Sequence, residues 1–183
     1  MDAIECLISR RSIREYTDEA LTETDIENVV EMAQMASCWE NTQPVRYVAV
    51  MDKALKDRIA NEATEKYPWN TENIHAAPVL IILCVIKGLS GYEPDGTPST
   101  KKGTHWQSFD AGVAAAHFCL SANAVGLGTL IMGRYDEDKI KEILGLPAEY
   151  DVSAIIGIGH PAVIPAANER KPLKEILTFK HGK

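Results

Sequence analysis

Residues 79–86, Val-Leu-Ile-Ile-Leu-Cys-Val-Ile, form an unbroken apolar octet behind Ala76-Ala77-Pro78. A surface strand alternates apolar and polar side chains, because successive residues point to opposite faces. An octet without alternation must bury both faces, so it predicts a central strand sandwiched between layers. Val152 to Ile158 repeats the pattern, and Val45 to Met51 reads as a further strand. Helical stretches fall between these. Asp2 is placed to cap a first helix with Ile4, Leu7 and Ile8 on one face. Thr22 and Asp25 form a variant capping box ahead of Ile26, Val29, Val30 and Ala33. Lys53 to about Lys66 reads as a charged helix, and Asp136 caps a short one that Gly145 ends. Trp106 to about Ala124 is a long helix with more apolar girth than one stripe, which places it in a core or a subunit interface. A short segment, Leu173–Leu177, closes the chain. The alternation is irregular, so the expected fold class is α+β, a central mixed β-sheet flanked by helices.

The bounds set by composition are ordinary. At 183 residues the chain is most simply one domain, residues 1–183, long enough for a sizeable core. Its formal net charge of -7 argues against nucleic acid as a partner, since a phosphate backbone needs a broad basic face. No apolar run approaches the roughly 20 residues that span a bilayer. Met1 to Glu5 lacks the basic start and long apolar core of a signal peptide, so a cytoplasmic protein without a membrane partner is expected. Cys6, Cys38, Cys84 and Cys119 show neither CxxC nor zinc spacing and read as reduced thiols.

Against that acidic background, Arg10-Arg11-Ser12-Ile13-Arg14 places three guanidinium groups and a hydroxyl within five residues. The planar Arg fork engages two phosphate oxygens at once, so the cluster suggests a site for one anion. A basic helix end offsetting the helix dipole is the competing reading. Glycine and proline punctuate residues 88–103, a long loop of the kind that is a functional lid or a mobile segment. Other motifs carry less. Gly157-Ile158-Gly159 follows a strand but lacks the third glycine and the helix of a dinucleotide site. Gly126-Leu127-Gly128 is most simply a helix stop. The five histidines have no metal spacing, so no metal is expected. Cys38 has no evident His or Asp partner for nucleophilic work.

Four of these pieces in order resemble the FMN-dependent nitroreductase family. They are Arg-Arg-Ser-Ile-Arg-x-Tyr at 10–16, Asn41-x-Gln43-Pro44 before a strand, Gly126-Leu127-Gly128, and Gly157-Ile158-Gly159-His160-Pro161 closing a strand. The resemblance runs from Met1 to the tail at Arg170-Lys171-Pro172-Leu173. It implies a homodimer with FMN in the subunit interface. It also implies electron transfer from NADH or NADPH to small-molecule acceptors such as nitro compounds or quinones.

Carried over by position, the resemblance implies that Arg10 and Ser12 hold the FMN phosphate, with Arg170 and Lys171 closing over it from the tail. Arg11 would contact the flavin partly through its backbone, and Arg14 would lie near flavin N1 and O2. Asn41 and the backbone of Ser37, Cys38 and Trp39 would approach from the other subunit. Met132 and Gly133 would supply the amide that meets flavin N5, and Asn70 a polar contact to the pyrimidine edge. No side chain is expected to be catalytic in its own right, because the flavin carries the redox chemistry and the protein supplies position and field. A guanidinium near N1 favours the reduced, negatively charged ring and raises its potential. One slot serving donor and acceptor in turn implies ping-pong exchange and loose acceptor choice.

The chain departs from the family pattern at Ser37-Cys38-Trp39-Glu40, where many members carry Pro-Ser and small residues. Trp39 could wall the flavin and narrow the acceptor slot, or simply anchor the dimer interface. Glu40 could repel anionic acceptors. Two other functions stay open: a flavoprotein of this fold that consumes flavin or removes halogen, and a non-enzymatic dimer whose Arg cluster holds a different phosphate.

Overall fold

The computed structural model describes residues 2–182. The elements run α1 (Ala3–Ser9), α2 (Glu23–Ala33), a 3-10 turn (Trp39–Asn41), β1 (Val45–Val50), α3 (Lys53–Glu62), α4 (Pro68–Ala76) and β2 (Val79–Ile86). They continue with α5 (His105–Ala124), β3 (Gly128–Met132), α6 (Glu137–Leu144), β4 (Tyr150–Gly159) and a final turn, α7 (Leu173–Ile176).

The octet is β2, and it sits inside the sheet as its pattern requires. Strand order is β1-β2-β4-β3, with every neighbouring pair antiparallel. The two faces of β2 enter different cores. Val79, Ile81, Leu83 and Val85 pack with Ile26 and Val29 of α2 and with Ala111, Phe118 and Ala122 of α5. Leu80, Ile82 and Cys84 pack with Ile59 of α3, Ile74 of α4 and Ile140 of α6. The expected mixed character of the sheet comes down to one parallel element, an isolated bridge between Ser12 and Thr129 on the free edge of β3.

Caps form where the sequence places them, and Asp52 adds one at the start of α3. Asp2, Asp52 and Asp136 each accept the N–H three residues on. Thr22 and Asp25 complete a reciprocal capping box. Gly145 takes the left-handed φ of 62° that stops α6.

Three expectations change. The charged helix ends at Glu62, not Lys66, because Glu65 and Lys66 turn to φ of 51° and 59°. A second helix, α4, then starts with Pro68 at its first position, where the missing N–H costs nothing. The loop over 87–104 is internally organised: Glu93 N–H donates to Thr97 O (2.8 Å), Ser99 N–H to Gly91 O (2.9 Å), and Trp106 Nε1–H to Thr100 Oγ1 (2.7 Å). Finally, the apolar face of α1 points outward, with Ile4, Leu7 and Ile8 exposed and only Cys6 buried. Phe109, Gly112 and Ala116 leave a matching exposed stripe along α5.

Past Pro161 the chain leaves this framework. Residues 162–182 are exposed throughout, including Val163, Ile164, Leu173, Ile176 and Phe179. Among the described residues no helix is long and apolar enough to cross a membrane.

Candidate functional site

The Arg stretch is positioned by backbone pairing on both sides. Ile13 N–H donates to Thr129 O (2.9 Å), which lays residues 12 and 13 along β3. Tyr16 OH donates to Ile13 O (2.9 Å), and Thr17 N–H to His160 O (2.9 Å). Burial pushes the Tyr16 hydroxyl well above its ordinary pKa, so it remains a donor at any physiological pH. Two glycines of β4 make room for Tyr16: a Cβ on Gly159 would lie 2.7 Å from its Cδ1, and one on Gly157 3.3 Å from its hydroxyl. That close approach is the role of the Gly-Ile-Gly segment at the end of β4.

Arg10 and Ser12 line a groove of about 800 Å³. Its other walls include Ala115 and Cys119 of α5 and Thr129 and Ile131 of β3, with Asp151 contributed by β4. Among the described residues, no carboxylate pairs with Arg10, Arg11 or Arg14. Arg11 donates Nη1 to the carbonyls of Ile8 (2.8 Å) and Arg10 (2.9 Å), while its Nε is buried without a partner. Arg14 is exposed and touches Ser12 O at 3.4 Å. The groove thus offers the uncommitted fork of Arg10 and the Ser12 hydroxyl as donors, with Arg11 outside its lining. An anion fits that set.

The remaining expected residues fall in three places. Met132 is buried at the end of β3 and Gly133 is exposed directly after it. A Cβ built on Gly133 would meet nothing within 4 Å, so its backbone faces open space. Asn70 is buried in α4 and donates Nδ2–H to Arg134 O (2.7 Å), bracing the backbone just past Met132 and Gly133. Arg134 in turn lies over the Tyr67 ring, 4.6 Å from its centroid.

The 37–43 loop lies apart from the Arg groove within one chain. Ser37, Cys38 and Gln43 line a second cavity of about 520 Å³ between α2 and β1, together with Tyr47 and Asp110. Asn41 is exposed and lines neither space. The loop is strained, with Glu40 at φ 45°, Asn41 at 56° and Gln43 at 48°. A left-handed residue with a Cβ costs roughly 1–2 kcal/mol, somewhat less for Asn. Trp39 stacks on Trp106 of its own chain, ring centroids 4.8 Å apart and tilted by 53°. Its indole Nε1 is buried without a partner. Arg170 and Lys171 sit in the exposed tail and line neither cavity.

Sequence reasoning overlooked Thr129, Asp110 and Ser90. Asp110 carried a usable signal, a lone carboxylate on an otherwise apolar helix. Among the described residues no group of His, Cys, Asp and Glu side chains is arranged to hold a metal ion.

A stretch of arginines pinned to a sheet edge beside an anion-suited groove, on a four-stranded antiparallel sheet flanked by helices, defines an α+β protein built to hold an anionic ligand. Comparison places it: residues 7–160 match the nitroreductase family model, and the chain belongs to the nitroreductase family. It is 30% identical to the FMN reductase [NAD(P)H] of Bacillus subtilis, across 96% of this chain and 72% of that protein. A nitroreductase-type protein of Exiguobacterium sibiricum solved in complex with FMN superposes with a TM-score of 0.82 at 22% identity, covering 98% of both chains. Human iodotyrosine deiodinase 1 is 24% identical over 94% of this chain and 66% of its own length.

Proposed function

We propose that the protein is an FMN-dependent oxidoreductase that takes electrons from NADH or NADPH and passes them to small-molecule acceptors such as nitro compounds or quinones. The observation that carries this reading is the uncommitted Arg10 fork beside the Ser12 hydroxyl, held in a groove on the β3 edge. The residues fit a terminal phosphate dianion, and family membership supplies the flavin attached to it. FMN, when bound, supplies hydride exchange at N5. The chain's own residues do the rest. Arg10 and Ser12 bind the phosphate, with Arg170 and Lys171 added from a tail. Arg14 places positive charge by N1 and O2, and Gly133 N–H orients N5. Asn70 offers a polar contact to the pyrimidine edge, while its Nδ2–H braces the chain after Gly133 through Arg134 O.

Two copies are needed in this reading. Support comes from the exposed α1 face, the Phe109–Gly112–Ala116 stripe and the apolar tail, which together leave a large unpartnered surface. Asn41 and the backbone of residues 37–39 then reach the flavin whose phosphate is held by the other copy. A single domain over 1–183 and a cytoplasmic location complete the proposal.

The test is direct. Purified protein is titrated with FMN, reduced anaerobically by NADH and by NADPH, and reoxidised with a panel of nitro compounds, quinones and free flavin. Protein that carries no flavin as purified, and retains none after FMN addition and removal of the free cofactor, overturns the reading. The likeness to a deiodinase favours one second reading, reductive dehalogenation, so halogenated phenols belong in the same panel.

A further inference from the structure

The strained 37–43 loop must be held by something, because left-handed Glu40, Asn41 and Gln43 persist only where the surroundings over-determine them. The holder is on α5. Asp110 is 3% exposed, and its Oδ2 accepts two hydrogen bonds, one from Trp39 N–H (2.9 Å) and one from Ser90 Oγ (2.7 Å). The first donor opens the strained turn, two residues before Asn41. The second belongs to the 87–104 loop. Both loops also meet through aromatic packing. Trp39 lies against Trp106, Trp106 against Phe109 (5.5 Å, edge-on), and Lys102 Nζ sits 4.4 Å from the Trp106 ring centroid. Gly91 lets this happen, since a Cβ there would lie 2.7 Å from Trp106.

One carboxylate oxygen accepting from both loops ties each of them to α5 and to the other. Ser90 is fully buried, so its hydroxyl has no water to substitute for the carboxylate. Gln43 N–H to Cys38 Sγ (3.2 Å) closes the far side of the turn, but that bond lies within the loop and cannot fix its place on the protein.

We infer that Asp110 is a positioning residue for the flavin site: its buried carboxylate, with Ser90 and the Trp39–Trp106 stack, fixes the 38–43 turn so that Asn41 is presented to the cofactor. This rests on the proposed FMN function and adds a residue to it that lies outside the flavin contacts. Ser90 ties the 87–104 loop to the same carboxylate oxygen.

The test compares the wild-type holoprotein with Asp110→Ala and Asp110→Asn. Two indoles 4.8 Å apart and tilted by 53° can couple as excitons, so the wild type is expected to show a Trp–Trp couplet in far-ultraviolet circular dichroism. Asp110→Ala is expected to lose the couplet and bind FMN at least tenfold more weakly. Asp110→Asn keeps one acceptor oxygen and is expected to fall between the two, a graded rescue that a purely structural role would not produce. If Asp110→Ala does not fold, the same two readouts on Asp110→Asn decide. A lost couplet with unchanged FMN affinity overturns the positioning role, as does a retained couplet in both variants. Failure of the wild type itself to bind FMN overturns the proposed function instead, and the unmutated control separates that result from failure of the inference.

Discussion

Gly128 and Ile13 are in contact so close that no other residue fits at 128: a Cβ there would lie 2.5 Å from Ile13 Cγ1 and 2.8 Å from Ile13 Cβ. This packing seats the Arg stretch on β3. Gly128→Ala is therefore expected to destabilise the protein by about 1–3 kcal/mol, the range for overpacking, and to weaken FMN binding as residues 10–14 shift. Because the Cβ of residue 13 is itself too near, Ile13→Ala does not rescue it. Thermal unfolding and FMN titration of the single and double variants check both statements.

Arg10→Ala removes a fork that, among the described residues, makes no side-chain hydrogen bond or ion pair inside the protein, so the fold should be unaffected. A charge-assisted bond contributes roughly 1.5–3 kcal/mol, which corresponds to a loss of FMN affinity of at least about tenfold. Equilibrium titration with an unchanged unfolding midpoint is the expected result. Unaltered affinity would remove Arg10 from the site.

Arg14 is exposed and lightly held. In the proposed site its charge favours reduced FMN over oxidised. Arg14→Ala should lower the reduction potential of the bound flavin and slow its reduction by nicotinamide, while oxidised FMN binds nearly as before. A potential unchanged on substitution would place Arg14 at the surface without a role.

Complementation tests the two-chain site. Arg14→Ala and Asn41→Ala homodimers should each be impaired at both sites. In co-refolded mixtures roughly half the dimers are mixed, and half of their sites carry neither change, so about a quarter of wild-type activity should return. No recovery after confirmed subunit exchange would mean that one chain makes the whole site.

Cys84 gives a pH prediction. Burial, with lesser pushes from Glu137 and Asp151, raises its thiol from 9.0 to about 12. The folded state thus keeps a proton that the unfolded chain loses first. Its contribution to stability is complete below pH 9 and declines as pH climbs toward 12, by up to about 1.4 kcal/mol per pH unit. Tyr47, raised by burial from 10.0 to about 12, adds the same sign at the upper end. Denaturant unfolding from pH 8 to 11 should show a shallower alkaline slope in Cys84→Ala.

Local signals made much of this legible. The octet specified a two-faced central strand, and side-chain caps marked α1, α2 and α6 because a cap is a contact over three residues. The Arg stretch was visible as charge, but its seat on β3 was not. Gly128 read as a helix stop alongside Gly126, whereas only Gly126 turns to a positive φ, and Gly128 is there for Ile13. α4 escaped notice because only Asn70 and Ile74 are buried in it, too few to show a period, although Pro68 marked its start. The Asp110 tether joins residues 71 positions apart and leaves no local trace beyond a carboxylate in an apolar helix.

Strand β2 is the common wall of two cores, odd residues in one and even residues in the other. Neither core can open without stripping one face of that strand, so the halves of the molecule cannot melt in turn. Amide hydrogens of Leu80 to Cys84 should therefore exchange with solvent only through opening of the entire domain, at the slowest rate in the chain. Flavin bound in the Arg10–Ser12 groove, which Leu83 of β2 also lines, would slow them by the full measure of its binding free energy, which makes these amides a gauge of occupancy.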